Sequence, residues 1–230
     1  MIGEHSSKQY DQELEAIRSK VLLMGGMVET QFEEALHCFR VGDIAQADHV
    51  MAEDAAVNGL EVQLDDACSH LIVKRQPAAN DLRTIMATIK VITDLERIGD
   101  EASKIARTAK SLHARGVTGF AHYDTIRSIG KDTSELLHDA LDAFARLDGK
   151  QAMRIIAGDE IIDHEFRTIL RNLITFMMED PRTISSALDT LWVAKAIERI
   201  GDHAKNIAEY VIYVVEGRDI RHSKPVVQEG

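Results

Sequence analysis

Glu96 and Asp100 stand four residues apart in the segment Glu96-Arg97-Ile98-Gly99-Asp100, and the same five letters return as Glu198-Arg199-Ile200-Gly201-Asp202. On a helix, residues at that spacing are neighbours on one face, so each segment presents two carboxylates side by side. Like charges so placed destabilise a helix by about 0.2–0.5 kcal/mol. A hard divalent or trivalent cation between them reverses that sign, because such ions take oxygen ligands and an adjacent helix can supply more of them. The glycine inside each segment costs about 1 kcal/mol against alanine in a helix interior. Its recurrence at matched positions points to a required close approach of backbone.

Further acids share the spacing. Asp159-x-x-x-Asp163 precedes the second segment, and its earlier counterpart reads Asp54-x-x-x-Asn58, with Glu61-x-x-x-Asp65 one turn on. An asparagine ligates through its amide oxygen, more weakly than a carboxylate. The expected metal ligands are therefore Glu96, Asp100, Glu198, Asp202, Asp159 and Asp163, with Asp54, Asn58, Glu61 and Asp65 as a weaker set. The two sites should differ, the second half being the stronger. A blander account pairs these acids with Arg97, Arg199 and Lys104 as surface ion pairs. His203 and Glu209 lie close enough in sequence to act as outer groups of the second site.

Glu34-x-x-His37 and Glu135-x-x-His138 form a competing pattern. Twin Glu-x-x-His motifs pointing into a bundle build the di-iron site of ferritin-like carboxylate proteins, which makes a metal oxidase or storage protein the alternative function. The apolar stripe on these helices passes through Ala35 and Leu136, which leaves both Glu and His off the inward face. No G-x-S-x-G, P-loop or dinucleotide fingerprint occurs, so the chain reads as a non-enzyme. Gly25-Gly26 falls inside a helical pattern, as a packing or kink position.

The elements that must position these residues are helices. Leu14, Ile17, Val21, Met24, Val28, Phe32, Ala35 and Phe39 step by threes and fours as one helix face. Val41-Gly42-Asp43 ends that run, and a second extends from about Ile44 to Lys74 before Gln76-Pro77 closes it. A third covers about Asn80 to His113, with Ile85, Ile89, Ile92, Leu95, Gly99, Ala102, Ile105 and Ala109 inward. Gly116-Val117-Thr118-Gly119 reads as a linker. The pattern then repeats from Tyr123 to Leu147, onward from Asp148-Gly149 to Glu179 before Pro181, and from Ile184 to Val215. The expected fold is all-α: two tandem, pseudo-symmetric three-helix bundles over residues 1–115 and 116–230, six long helices with a polar tail.

Composition sets the outer bounds. The 230 residues carry a formal net charge of −11, which excludes a nucleic-acid binder, since phosphate backbones demand a basic face. Aromatics make up 5%, as suits helices rather than sheets. Cys38 and Cys68 lie outside any Cys-x-x-Cys motif and read as reduced thiols of a cytosolic protein. The N-terminus lacks a signal-peptide pattern, and the apolar run Tyr210 to Val215 is too short to cross a bilayer. Arg218, Arg221 and Lys224 after the last helix offer a small basic contact for anionic lipid.

Several fragments, in order and spacing, carry a family resemblance: Met24-Gly25-Gly26-Met27-Val28-Glu29, Lys74-Arg75-Gln76-Pro77, both ERIGD segments, Met177-Met178-Glu179-Asp180, Arg182-Thr183-Ile184, and Gly217-Arg218-Asp219-Ile220-Arg221-His222. Together they closely resemble the PhoU family of bacterial phosphate-signalling regulators. The resemblance implies two side-by-side three-helix bundles and multinuclear metal binding (iron, zinc, manganese or magnesium) at the E/D-x-x-x-D motifs. It further implies a negative regulator of the phosphate-starvation regulon, an adaptor between the ATPase subunit of the phosphate ABC transporter and a sensor histidine kinase. A homodimer held at the cytoplasmic face of the membrane through its partners is the expected setting.

Overall fold

Each of the six periodic runs is an α-helix in the computed structural model, which describes residues 2–116 and 123–221. The helices are α1 (Ile2–Val41), α2 (Ile44–Arg75), α3 (Ala79–Ala114), α4 (Tyr123–Arg146), α5 (Gly149–Glu179) and α6 (Ile184–Glu216), with a 3₁₀ turn at Pro181–Thr183 before the last. No strand occurs among the described residues. The linker expected at Gly116–Gly119 lies, beyond Gly116, outside the described residues, as do Lys224 and the end of the polar tail.

Local chemistry sets the breaks. Gly42, at φ +77°, turns the chain out of α1, and Asp43 caps α2 by accepting from Gln46 N. Asp148 repeats that cap on α5, accepting from Lys150 N and Gln151 N. Gln76 ends α2 in the left-handed conformation, immediately before Pro77. Past α6, residues 217–221 fold back: Arg221 pairs with Asp219 and lies over the Tyr210 ring, 5.8 Å from its centroid.

Three helices pack in each half, α1–α2–α3 and α4–α5–α6, and the halves lie side by side through α3 against α6 and α1 against α4. Helices α2 and α5 lie on the flanks, with no contact across the halves among the described residues. Arg83 over the Tyr213 ring and Arg115 paired with Asp189 show that α3 and α6 run antiparallel. The α1–α4 crossing repeats itself about a pseudo-twofold. A methyl on Gly25 would meet Leu141, and one on Gly130 would meet Leu36. Those glycines and leucines fix the register between α1 and α4, and the caps Asp43 and Asp148 stand at matched positions of α2 and α5.

The expected stripes form the core. Val21, Met24, Val28, Phe32, Val57, Leu64, Ile92, Leu95, Ile105, Ile197 and Ile207 are all buried to within about a hundredth of their surface. On α4 the buried position is Leu137, while Leu136 is half-buried, a shift of one residue from the expected stripe. No helix among the described residues is long and apolar enough to cross a membrane.

Candidate metal centre

The two glycines of the repeated pentapeptide hold the same contacts. A methyl on Gly99 would lie 3.4 Å from Val57 Cγ1 and 3.6 Å from Asp54 Oδ1; one on Gly201 would lie 3.2 Å from Ile162 Cδ1 and 3.6 Å from Asp159 Oδ1. Bare backbone therefore lets α2 approach α3, and α5 approach α6, closely enough to bring an aspartate beside each glycine. Asp54 and Asp159 are structural counterparts, and so are Asn58 and Asp163 one turn later, as the sequence spacing implied.

In the first half, Asp54, Asn58, Glu61 and Asp65 of α2 and Glu96 and Asp100 of α3 are all half-buried. Among the described residues, none of the five acids forms an ion pair, and Asp54 Oδ1, Asn58 Oδ1 and Asp65 Oδ1 are buried without a hydrogen-bond partner. The Glu96 carboxyl is pushed above its usual range by burial and then by the charges of Asp100, Glu61 and Asp54, with Arg97 opposing. Glu61 is raised by burial and by Asp65 and Asp100, again against Arg97. Carboxylate and amide oxygens are the ligand types a hard cation takes, while the trio whose ligand atoms lie within 4.8 Å of one another among the described residues is Glu34, His49 and Glu53.

In the second half, Glu198 is 8% exposed and Asp159 3%, and the acids are served by cations of the chain itself. Lys205 Nζ donates to Asp159 Oδ2 (2.7 Å), Lys195 Nζ to Glu198 Oε2 (2.5 Å) and an Arg167 nitrogen to Asp163 Oδ2 (2.9 Å). Among the described residues Asp202 forms no such ion pair; burial raises it first, then Glu198, Asp159 and Asp163, with Lys195 opposing.

The ion pairs foreseen around the pentapeptides form differently. Lys104 and Arg199 both reach Glu101, at 3.0 and 2.8 Å, rather than Asp100 or Glu198. Arg199 thereby ties α6 to α3. Beside it His203 Nδ1 lies 2.7 Å from Asp94 Oδ1, and Asn206 Nδ2 donates to the same oxygen at 3.2 Å. His203 thus serves the seam between halves. Glu209, 8% exposed and raised chiefly by burial, lies near Lys205 and Arg221.

The twin Glu-x-x-His motifs do not converge on a core site. Glu135 is exposed and pairs with Lys131, and His138 is exposed with its Nδ1 3.0 Å from Glu29 Oε1 of α1. His37 meets Arg40 on the surface. Under the pseudo-twofold that relates Gly25 to Gly130, the counterparts of Glu34 and His37 are Asp139 and Asp142, not Glu135 and His138. The sequence echo is therefore not a structural one. Glu34 instead lies near His49 and Glu53 of α2, with ligand atoms within 4.8 Å of one another. No spacing within one helix could have shown that grouping. Aligning the halves could have shown Lys195, Lys205 and Arg167, since each falls where the first copy has a neutral residue.

With this geometry in place, comparison with known proteins is direct. The family model described as PhoU domain matches residues 21–109 and 126–211. A Pseudomonas aeruginosa protein named phosphate-specific transport system accessory protein PhoU homolog is 45% identical over 221 residues, covering 96% of this chain and 91% of its own. The Escherichia coli K12 phosphate-specific transport system accessory protein PhoU is 46% identical over the same shares. The crystal structure of PhoU from Pseudomonas aeruginosa superposes with a TM-score of 0.89 at 45% identity, covering 91% of this chain and all of that one. The phosphate transport system regulatory protein PhoU from Streptococcus pneumoniae gives 0.84 at 26%, over 91% and 98%. On matched repeats, near-complete coverage and shared fold, the chain belongs to the PhoU family.

Proposed function

We propose that the protein regulates phosphate transport, restraining the phosphate-starvation regulon and phosphate uptake when phosphate is ample. The observation that carries this reading is 45–46% identity, over nearly the whole chain, to accessory proteins of phosphate-specific transport systems. In this reading the protein is a cytoplasmic adaptor, not an enzyme. It couples the ATPase subunit of the phosphate ABC transporter to a sensor histidine kinase, works as a homodimer, and meets the membrane through those partners. Deleting the gene should switch on phosphate-scavenging genes in phosphate-rich medium; unchanged expression would reject the proposal.

The acidic sets are where this adaptor would hold metal ions, multinuclear where the carboxylates crowd, with iron, zinc, manganese and magnesium all compatible with oxygen ligands. Glu96 and Asp100 with Asp54, Asn58, Glu61 and Asp65 form one set, and Glu198 and Asp202 with Asp159 and Asp163 form the other. The unpaired buried oxygens of the first set support the fit. A bound ion would supply positive charge that relieves the repulsion raising Glu61 and Glu96, and would fasten α2 to α3. The di-iron alternative finds no support in outward-facing Glu135, His138 and His37.

A further inference from the structure

The two halves descend from one repeat, yet four substitutions around the acidic sets all act in the same direction. Lys195 stands where the first half has Thr93, Lys205 where it has Ser103, and Arg167 where it has Val62. Each of the three basic side chains bonds an acid of the second set, Glu198, Asp159 and Asp163 respectively. The fourth difference is Gln31, whose α4 counterpart is Leu136.

Gln31 is fully buried. Its Nε2 donates to Val50 O (3.1 Å) and Ser103 Oγ (3.2 Å), which fixes the amide in place. Its Oε1 has no hydrogen-bond partner and lies 3.1 Å from the position of a methyl on Gly99, the same point from which Asp54 Oδ1 is 3.6 Å. Both buried acceptors border Gly99, and neither has a hydrogen-bond donor among the described residues. Leaving a buried acceptor unpaired is costly, so the arrangement calls for a cation or a water-borne donor at the base of the first set. In the second half the apolar Leu136 removes that acceptor, and the tethered ammonium and guanidinium groups supply the charge.

Resting on the metal-binding reading above, but narrowing it from both acidic sets to one and reversing the expectation that the second half is the stronger, we infer that the chain binds a free divalent cation at the first set alone, with Gln31 Oε1 at its base. The second set is a copy in which Lys195, Lys205 and Arg167 bond three of the four acids and occupy the role of the ion. Entry of a divalent ion there must first displace charge-assisted bonds, whereas the first set has none to break.

The test is Mn²⁺ binding to the intact protein, stripped with chelator and dialysed, followed by the electron paramagnetic resonance signal of free Mn²⁺. Glu96→Gln with Asp100→Asn should weaken binding by about tenfold to a hundredfold, and Gln31→Leu by about tenfold. Glu198→Gln with Asp202→Asn should leave the isotherm superposable on wild type. The decisive variant is Lys195→Thr with Lys205→Ser and Arg167→Val, which should add a second class of bound Mn²⁺. Circular dichroism melts establish that each variant is folded, and a triple variant that fails to fold is replaced by Lys205→Ser alone, expected to add weaker second-site binding. Equal losses from the two double variants, or no added binding in the folded graft, would overturn the asymmetry while leaving metal binding intact. Wild type that takes up no Mn²⁺ would instead remove the metal-binding reading itself.

Discussion

Lys205 Nζ lies 2.7 Å from Asp159 Oδ2, whereas Asp54, the counterpart of Asp159, forms no ion pair among the described residues and keeps a buried oxygen unpartnered. Ser103 occupies the place of Lys205 in the first half and accepts a hydrogen bond from Gln31 instead. One duplicated scaffold therefore carries two acidic sets with unequal charge balance, both net negative.

That imbalance gives the metal-free protein a defined pH response. The carboxyls of Glu61, Glu96, Asp202 and Glu209 are all raised, so the folded chain holds their protons more tightly than the unfolded chain does. The stability this contributes is complete below the ordinary carboxyl range and is lost as pH rises through the raised values. The lowered carboxyls of Glu13, Asp148, Asp180 and Asp219 act oppositely, but only once pH falls into and below the ordinary range. Thermal melts of chelator-treated protein should show Tm falling as pH rises above the ordinary carboxyl range. Asp100→Asn should raise Tm at the upper end and flatten the slope; an unchanged slope would contradict the assigned repulsion.

Gly99 and Gly26 should respond in opposite ways to alanine. A methyl at Gly99 meets Gln31 Oε1 at 3.1 Å, and that amide is held by two hydrogen bonds and cannot retreat cheaply. A methyl at Gly26 meets nothing within 4 Å. Gly26→Ala should therefore stabilise by up to about 1 kcal/mol through helix propensity. Gly99→Ala should lose that gain and more, for a net cost of about 1 kcal/mol. Urea titrations of the two variants decide the signs.

The α3–α6 seam depends on Asp94, which is 3% exposed and accepts from both Asn206 and the His203 pair. Asp94→Ala leaves buried polar partners without their acceptor and should cost about 2–4 kcal/mol. A chemical denaturation midpoint near that of wild type would show that the network carries little of the contact between halves.

Cys38 and Cys68 are buried, and burial pushes both thiols up to about 11. A thiol-specific reagent at neutral pH should modify neither in the folded protein and both in denaturant, because thiolate and access are each lacking. Fast labelling of either in native buffer would indicate local opening of its helix.

The helices were legible because their ends carry strong signals: Gly42 and Asp43, Pro77, Asp148 and Pro181 each fall at an observed boundary. The glycine-to-aspartate contacts were legible in part, since equal spacing on α2 and α5 put Asp54 and Asp159 in register. What stayed hidden was which cation reaches which acid. Lys104, four residues past Asp100, turns to Glu101, and Arg199 crosses from the other half to the same residue. Those choices follow from how α3 packs on α6, a contact between residues about a hundred positions apart. The Glu-x-x-His echo misled for a related reason, because the register of α1 and α4 is set by Gly25 and Gly130 rather than by matching letters.

The most direct test of the account joins the acidic set to regulation. A strain lacking the gene is complemented in phosphate-rich medium with wild type or with Glu96→Gln plus Asp100→Asn, and a phosphate-starvation reporter is read at equal protein level. Wild type should restore repression and the double variant should leave the reporter on. Full repression by the double variant would separate the first acidic set from the regulatory function and contradict the account.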